Sequence, residues 1–471
     1  MKALHAVSGS VALVSGEAAA RLVAFGTTVF LARTLGPETY GVVAVAAGVM
    51  LYLSQIADSG VELAGLTEAS GGPARVNAVL SGLLTYRLRV AAVLLFVLAP
   101  ACAWLLPQPD GQVLALSVFG LPAVALSVRW VYLGLQRPQP VALSRIAGDV
   151  VTAAVTLALV RGPRDVLGAP VAVVVGGLAA AVLLLRGLPA LGVHLRRVDG
   201  EAPAGALLRR GRRLVLFTLL GLVLYNVDLL MLRVLGGEAA AGYYAAAYVL
   251  ISFCANLMIA YSHTVLPALA DDAPPTSATA TTYASALVTA GVVTMPVAAG
   301  GALIAPLVVQ LLFGPAYAPA AAALQVLVLV VPIGALREIA LASLVARRRD
   351  QALLRVNTVA AMVNVSLNVI LIPRYGLVGA AWATVVSEVV RLGVALVAAR
   401  HVIPGTTPVV ALLKCLLAGA GMGLAVTGLG LRTSLLAVAV GGVVYPALLV
   451  AFGVVALGGG GRPRIAAGTE V

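Results

Sequence analysis

The chain has 471 residues, of which 61% are hydrophobic and only 10% charged, with a formal net charge of +13. Soluble domains are about 45–50% apolar and about 25% charged, so this composition excludes a soluble globular protein and predicts a polytopic membrane protein. The three cysteines lie far apart in apolar runs and the four histidines are scattered, which excludes a structural metal framework and gives no disulfide signal.

The apolar runs predict helices rather than barrel strands. A barrel strand alternates apolar and polar residues, whereas runs such as Val90–Leu106 are apolar throughout. A helix needs about 20 apolar residues to cross a ~30 Å hydrocarbon core. Gly, Pro and charged residues interrupt the apolar runs and divide them into about fourteen predicted spans. These spans are 11–33, 40–62, 76–101, 111–134, 143–161, 167–186, 213–235, 241–264, 282–312, 320–345, 353–372, 376–399, 408–430 and 433–457.

Arginines indicate the orientation of these spans. They gather between the sixth and seventh spans, after the tenth span and in the tail, which therefore lie on one side of the membrane. The positive-inside rule makes that side cytoplasmic and places both termini there. Topology and attraction to anionic headgroups account for the net charge, and no nucleic-acid-binding motif accompanies it, so we expect no nucleic-acid partner.

Two short patterns recur between the halves of the chain. "RTLGPETYG" (Arg33–Gly41) and "RVLGGEAAAG" (Arg233–Gly242) match at an offset of 200, and "PRDVLGA" (Pro163–Ala169) matches "PRYGLVGA" (Pro373–Ala380) at 210 to 211. Gly and Pro also recur at helix ends for local reasons. The agreement of both patterns predicts two parallel six-helix repeats related by an axis along the membrane normal, followed by a C-terminal helix pair.

The predicted domains follow from this repeat. They are an N-terminal six-helix lobe at 1–195, a basic cytoplasmic linker at 196–212, a C-terminal six-helix lobe at 213–400, an appended two-helix hairpin at 408–457 and a cytoplasmic tail at 458–471.

Several stretches resemble one family of transporters. "RTLGPETYG", Asp228–Leu250, Leu312–Leu327 and Val363–Leu392 are similar, in order and spacing, to stretches of the polysaccharide flippases of the multidrug/oligosaccharidyl-lipid/polysaccharide exporter superfamily. The resemblance covers roughly residues 25–400. It implies two lobes in a V around a central cavity, alternating access, and movement of a polyprenyl-diphosphate-linked oligosaccharide from the inner to the outer leaflet of the cell membrane. It also implies a polysaccharide polymerase and glycosyltransferases as possible partners.

Charged residues inside the spans are the candidate site residues, because each costs at least ~2.5 kcal/mol on insertion scales. An arginine suits a diphosphate, since it is always charged and its planar fork matches phosphate oxygens. The diphosphate candidates are Arg21, Arg129 and Arg337. The candidates for ion coupling or for polar contacts in the cavity are Glu17, Asp228, Asn226, Asp58 and Glu338.

Structural explanations compete with these roles. Glu17 and Arg21 are four residues apart and can form an internal ion pair. Arg129 stands beside two aromatic residues and is equally explained by snorkelling to the inner interface. Glu388 and Arg391 are interpreted as a structural i, i+3 pair. Against a purely structural role for Arg21 and Asp228, neither charge recurs at the 200-residue offset.

The chain lacks a nucleotide-binding motif, which favours a secondary transporter without a cofactor, driven by H⁺ or Na⁺, the membrane potential or the substrate gradient. The main alternative is an ion-coupled small-molecule or multidrug antiporter of the same fold, although such exporters usually stop at twelve spans. A membrane polymerase or ligase would need a large external loop, and every predicted external loop is short. A transporter-like scaffold of a glycan assembly complex is the remaining alternative.

Overall fold

Long apolar helices make up both halves of the chain. The computed structural model describes residues 2–195, 226–270, 276–403, 407–431, 434–457 and 463–465, at 2–19 by their backbone alone. Ten helices in this described part are long and apolar enough to cross a membrane. The predicted all-α membrane class is therefore confirmed, while the count of fourteen spans stays a prediction. The linker predicted at 196–212 lies outside the described residues, as do most of the span at 213–235 and most of the tail at 458–471.

The chain divides into two compact units, Met1–Leu222 and Val223–Val471. The helices of the first unit are α1 (Lys2–Asp58), α2 (Val61–Ala69), α3 (Pro73–Leu105), α4 (Asp110–Val118), α5 (Leu121–Leu126), α6 (Arg129–Gly134), α7 (Gln139–Leu159) and α8 (Gly168–Gly187).

The second unit begins, in the described residues, with α9 at 226–235. Its other helices are α10 (Glu238–Leu269), α11 (Ser277–Phe313), α12 (Ala320–Leu327), α13 (Val330–Ala346), α14 (Asp350–Arg400), α15 (Val409–Gly428) and α16 (Leu436–Ala451). Two strands of three residues each, β1 (Val455–Leu457) and β2 (Pro463–Ile465), pair antiparallel. The helices α15 and α16 pack against α11 through a buried cluster that includes Cys415, Met422 and Tyr445.

Two helices are bent at a glycine. In α1 the bend is at Gly36 (φ 74°, ψ 167°), and in α14 it is at Gly376 (φ 54°, ψ −129°). Side chains with a Cβ rarely adopt such positive φ values, so glycine is required at both bends. Each bent helix has two arms, which correspond to the predicted spans 11–33 and 40–62, and 353–372 and 376–399.

The backbone supports the repeat and corrects its register at the first pattern. Gly237 has φ 94° and ψ 168°, close to the values of Gly36, so the equivalent bends are 201 residues apart rather than 200. At the second pattern, a Cβ on Gly168 would lie 2.9 Å from Val160, and one on Gly379 would lie 2.3 Å from the Leu371 carbonyl oxygen. Each glycine therefore lets the start of one helix pack closely against the end of the preceding one. The two glycines are 211 residues apart.

Several predicted spans have other bounds in the structure. The span at 40–62 ends at Asp58, because Ser59 and Gly60 both have positive φ. The span at 111–134 is broken into α4, α5 and α6, and the span at 320–345 into α12 and α13. The span at 433–457 ends at Ala451, where Gly453 has φ 67° and the Val454 N–H bonds back to the Leu449 carbonyl. This is the usual glycine termination of a helix.

Close packing where α7 crosses α8 leaves no room for a methyl group at Gly176. A Cβ on Gly176 would lie 1.9 Å from Thr152 Oγ1 and 2.5 Å from the Gly148 carbonyl oxygen. We expect Gly176→Ala to force the helices apart, at ~1–3 kcal/mol or more, and to lower the temperature of unfolding in detergent. Gly393→Ala in α14 is the matched control, because nothing lies within 4 Å of its Cβ. Equal unfolding temperatures for the two variants would contradict this packing.

Candidate functional site

A chain of buried charges joins α13 to both arms of α14. Arg337 is 3% exposed and forms ion pairs with Glu388 of α14 and, at 2.5 Å, with its neighbour Glu338. The other carboxylate oxygen of Glu388 pairs with Arg391 at 3.2 Å. Arg391 in turn donates from Nε and Nη2 to Asn357 Oδ1, at 3.1 and 2.8 Å. Two arginines and two glutamates therefore balance each other, and they cross-link three helix segments.

Asp228 of α9 is a buried carboxylate of a different kind. Its side chain is fully buried, and Oδ2 accepts hydrogen bonds from the hydroxyls of Tyr244 and, at 2.9 Å, Thr384. Oδ1 accepts from the Leu229 N–H at 3.0 Å. Among the described residues, no lysine or arginine forms an ion pair with it. A carboxylate buried without a counter-ion is costly unless a proton or a cation neutralises it.

A polar cavity connects these two groups. It has a volume of about 270 Å³ and lies between α10, α13 and α14 in the second unit. Its polar lining consists of Tyr248, Ser252, Asn256, Arg337, Glu338, Thr384 and Glu388. Thr384 faces the cavity and also binds Asp228. The volume and the number of polar groups suffice for several water molecules.

Arg87 and Arg129 of the first unit pair with the carboxylates at the end of α1 and the start of α2. Arg87 of α3 is 3% exposed, lies 3.2 Å from Asp58, and donates at 2.7 Å to the carbonyl oxygens of both Val124 and Ser127. Both carbonyls lie at the break between α5 and α6, where the Val124 carbonyl also accepts from the Ser127 N–H at 3.2 Å, so Arg87 bridges the break. Arg129 Nε lies 2.8 Å from Glu62 Oε1 in a half-exposed pair.

The remaining candidates lie on α1 and α9. Arg21 is partly buried on the first arm of α1, and Asn226 is partly buried at the start of the described part of α9. The side chain of Glu17 lies outside the described residues. The predicted ion pair between Glu17 and Arg21 therefore stays a prediction.

Two family models each match more than half of the chain. The model described as polysaccharide biosynthesis protein matches residues 6–271, and that of the lipid II flippase MurJ matches residues 139–447. The chain belongs to the polysaccharide flippase family. The two families lie in the superfamily that the sequence motifs predicted, and both consist of transport proteins rather than enzymes.

Solved structures share the fold of this flippase-family chain. Lipid II flippase MurJ in an inward closed conformation matches with a TM-score of 0.76 and 12% identity, over 95% of this chain and 98% of that one. An inward-facing multidrug resistance MATE transporter matches at 0.64 and 16%, over 84% and 95%. A MOP superfamily transporter from Pyrococcus furiosus matches at 0.59 and 15%, over 84% and 94%. No curated protein matches. At these identities the likeness shows the fold alone, and the fold does not select a substrate.

The repeat places a second cavity in the first unit of the flippase. This cavity of about 430 Å³ is lined by residues of α1, α5 and α8 that include Met50, Val124 and Val173. At the offset of 201, Ala47, Met50, Leu51 and Ser54 correspond to Tyr248, Ile251, Ser252 and Ala255 of the polar cavity. At 210 to 211, Gly120, Val124, Ser127, Val173 and Gly177 correspond to Val330, Gly334, Arg337, Thr384 and Glu388. Each unit therefore has the same cavity, which is almost uncharged in the first unit and charged in the second.

The structure brings together some predicted residues and adds others. Arg337 and Glu338 meet in the polar cavity, and Asp228 lies behind Thr384. Thr384, Tyr244 and Arg87 were missed from sequence, because their contacts cross between helices far apart in the chain. The one available signal was Arg87 itself, a cation about four turns into the long apolar helix α3. The i, i+3 pair of Glu388 and Arg391 forms, but Glu388 also binds Arg337.

Proposed function

We propose that the protein is a flippase that moves a polyprenyl-diphosphate-linked oligosaccharide, a precursor of a cell-surface polysaccharide, from the inner to the outer leaflet by alternating access. The observation that carries this proposal is the match to two families whose names both concern glycan precursors, over residues 6–271 and 139–447. The cell membrane, cytoplasmic termini, and a polymerase and glycosyltransferases as partners belong to the same proposal, as expected for a lipid-linked precursor.

Arg21 is the proposed partner of the diphosphate. It is partly buried on a helix that crosses the bilayer, and arginine can replace phosphate hydration with a charged, bidentate fork. Arg337 cannot contribute in the same way in this conformation, because two carboxylates already balance its buried charge. It enters the proposal only if those pairs open during transport.

Asp228 is the proposed coupling residue, with H⁺ or Na⁺ as the ion. The support is its burial without a cation among the described residues, together with hydroxyl oxygens of Thr384 and Tyr244 at hydrogen-bond distance. Protonation would make the carboxyl neutral, and Na⁺ would balance its charge. Glu338 and water molecules in the polar cavity would form hydrogen bonds leading to Thr384, which binds Asp228.

An ion-coupled small-molecule or multidrug antiporter is the second candidate. The polar cavity favours it, because the carboxylates of Glu338 and Glu388 line the cavity and a cationic compound could exchange for the arginines that balance them in this structure. The likeness to MATE transporters concerns the fold, which both candidates share.

Deletion of the gene should decide between the two candidates. We expect the deletion strain to accumulate a polyprenyl-diphosphate oligosaccharide, measured by mass spectrometry of extracted lipids, and the wild-type gene to clear it. Arg21→Ala should fail to clear it, whereas Arg33→Ala, at the exposed outer end of the same arm, should succeed.

Other outcomes of this experiment have distinct meanings. Retention of cationic dyes without any accumulated lipid would support the antiporter and contradict the flippase. Full clearance by Arg21→Ala at normal protein levels would leave the flippase in place and contradict the role of Arg21.

A further inference from the structure

A basic pocket lies in the first unit beside its apolar cavity. It has a volume of about 350 Å³ and is walled by α6, α7 and α8. Its polar lining consists of Ser127, Arg129, Ser144 and Arg145, and its apolar lining includes Ala181 and Leu184. The pocket is at the helix ends that the arginine distribution predicts to be cytoplasmic.

The two arginines of this pocket have unused donors. Within the described residues, Arg129 makes one ion pair, from Nε to Glu62, which leaves its Nη atoms available. Arg145 is exposed in the second turn of α7 and makes no ion pair or hydrogen bond in the same part of the chain. Asp149 lies one turn further along α7 and acts on Arg145 only through longer-range attraction. The positive charge of Arg145 therefore has no ion-pair partner within the described residues.

We propose that this pocket binds the phosphate group of an anionic phospholipid headgroup from the inner leaflet. Guanidinium forks match phosphate oxygens, and anionic lipids concentrate at the cytoplasmic surface. Leu143 and Leu183, which neighbour the pocket on α7 and α8, are 66% and 47% exposed. In a bilayer such apolar side chains contact acyl chains, which favours a lipid over free phosphate as the source of the phosphate group. The proposal assigns Arg129, a sequence candidate for the substrate diphosphate, to a lipid headgroup instead.

The repeat supplies a matched arginine in the second unit. "ALSR" at 142–145 recurs as "ALLR" at 352–355, so Arg355 corresponds to Arg145 and is likewise exposed near a helix start. Ser144, however, is replaced by Leu354, and the residue 210 positions after Arg129 is the buried Ile339. Arg355 therefore keeps the position and charge of Arg145 without the serine and the second arginine that line the pocket beside it.

Lipid binding to the purified full chain tests the proposal. Delipidated protein in detergent is titrated with phosphatidylglycerol and followed by native mass spectrometry, with inorganic phosphate titrated in parallel. We expect Arg145→Ala to weaken phosphatidylglycerol binding about tenfold, as for the loss of a charge-assisted hydrogen bond, and Arg145→Lys to weaken it less. Arg355→Ala is the matched control and should leave binding unchanged.

The titration distinguishes the sources of the phosphate group. Tight binding of phosphatidylglycerol with weak binding of inorganic phosphate supports the lipid headgroup. Equal affinities that both depend on Arg145 support the phosphate site but assign it to free phosphate. Equal losses in Arg145→Ala and Arg355→Ala would overturn the proposal, since they would show general attraction to a basic surface. Unfolding temperatures of all variants confirm that each is folded.

Discussion

Arg337→Ala is expected to destabilise the protein by about 3–5 kcal/mol, the usual cost of leaving a buried charge without its partner. The substitution removes the cation that faces both Glu338 and Glu388, and Glu388 is only 4% exposed. Arg391 would still pair with Glu388, but one net negative charge would remain inside the second unit. The expected readout is a large fall in unfolding temperature in detergent and in the yield of folded protein.

An exposed ion pair serves as the control for this prediction, and a second substitution tests its cause. Arg75 and Glu68 form an ion pair at 3.2 Å with the arginine side chain 68% exposed, so Arg75→Ala should cost at most about 1 kcal/mol. Adding Glu338→Gln to Arg337→Ala should recover part of the stability, because it removes the carboxylate that has lost its cation, while Glu388 keeps Arg391. If Arg337→Ala were no more harmful than Arg75→Ala, the charge chain would not stabilise the unit.

Asp228→Asn is expected to reduce glycan export at least about tenfold while the protein remains folded, which corresponds to about 1.4 kcal/mol in the rate-limiting barrier. Asparagine has the size of aspartate and keeps an acceptor for one of the hydroxyls of Tyr244 and Thr384. It cannot bind a proton or balance the charge of Na⁺. The measurement is the rate of appearance of surface glycan in cells with equal amounts of each variant.

The control for Asp228→Asn is the same change at an exposed carboxylate. Asp350→Asn alters the exposed start of α14 and should leave export unchanged. Full export by Asp228→Asn, at normal protein levels, would exclude Asp228 from coupling. The flippase proposal itself would survive that result, because a membrane potential or a substrate gradient can also drive transport.

The two related cavities differ in the charge of the residues that line them. The same backbone positions hold Ser127, Val173 and Gly177 in the first unit but Arg337, Thr384 and Glu388 in the second. The cavity is present in both units, whereas charged side chains line it only in the second.

Composition and spacing were sufficient to determine the class of the protein and its repeat. An apolar chain cannot leave backbone polar groups unpaired in lipid, so its spans must be helices. The glycines at 36 and 376 mark the bends because few other residues tolerate positive φ. The family motifs near these bends led to the superfamily that the family models confirm.

Only the tertiary structure decided which charges meet. Asp228 contacts Thr384 across 156 residues, and Arg337 contacts Glu388 across 51. The structure also changed the offset between the repeats from 200 to 201 residues. The sequence pattern aligned Gly36 with Gly236, whereas the residue with the same backbone angles is Gly237. Helical periodicity describes one helix at a time and carries no information about which faces of distant helices pack together. Partners of buried charges are set by that packing, so the sequence shows that such partners are needed and the fold shows which residues they are.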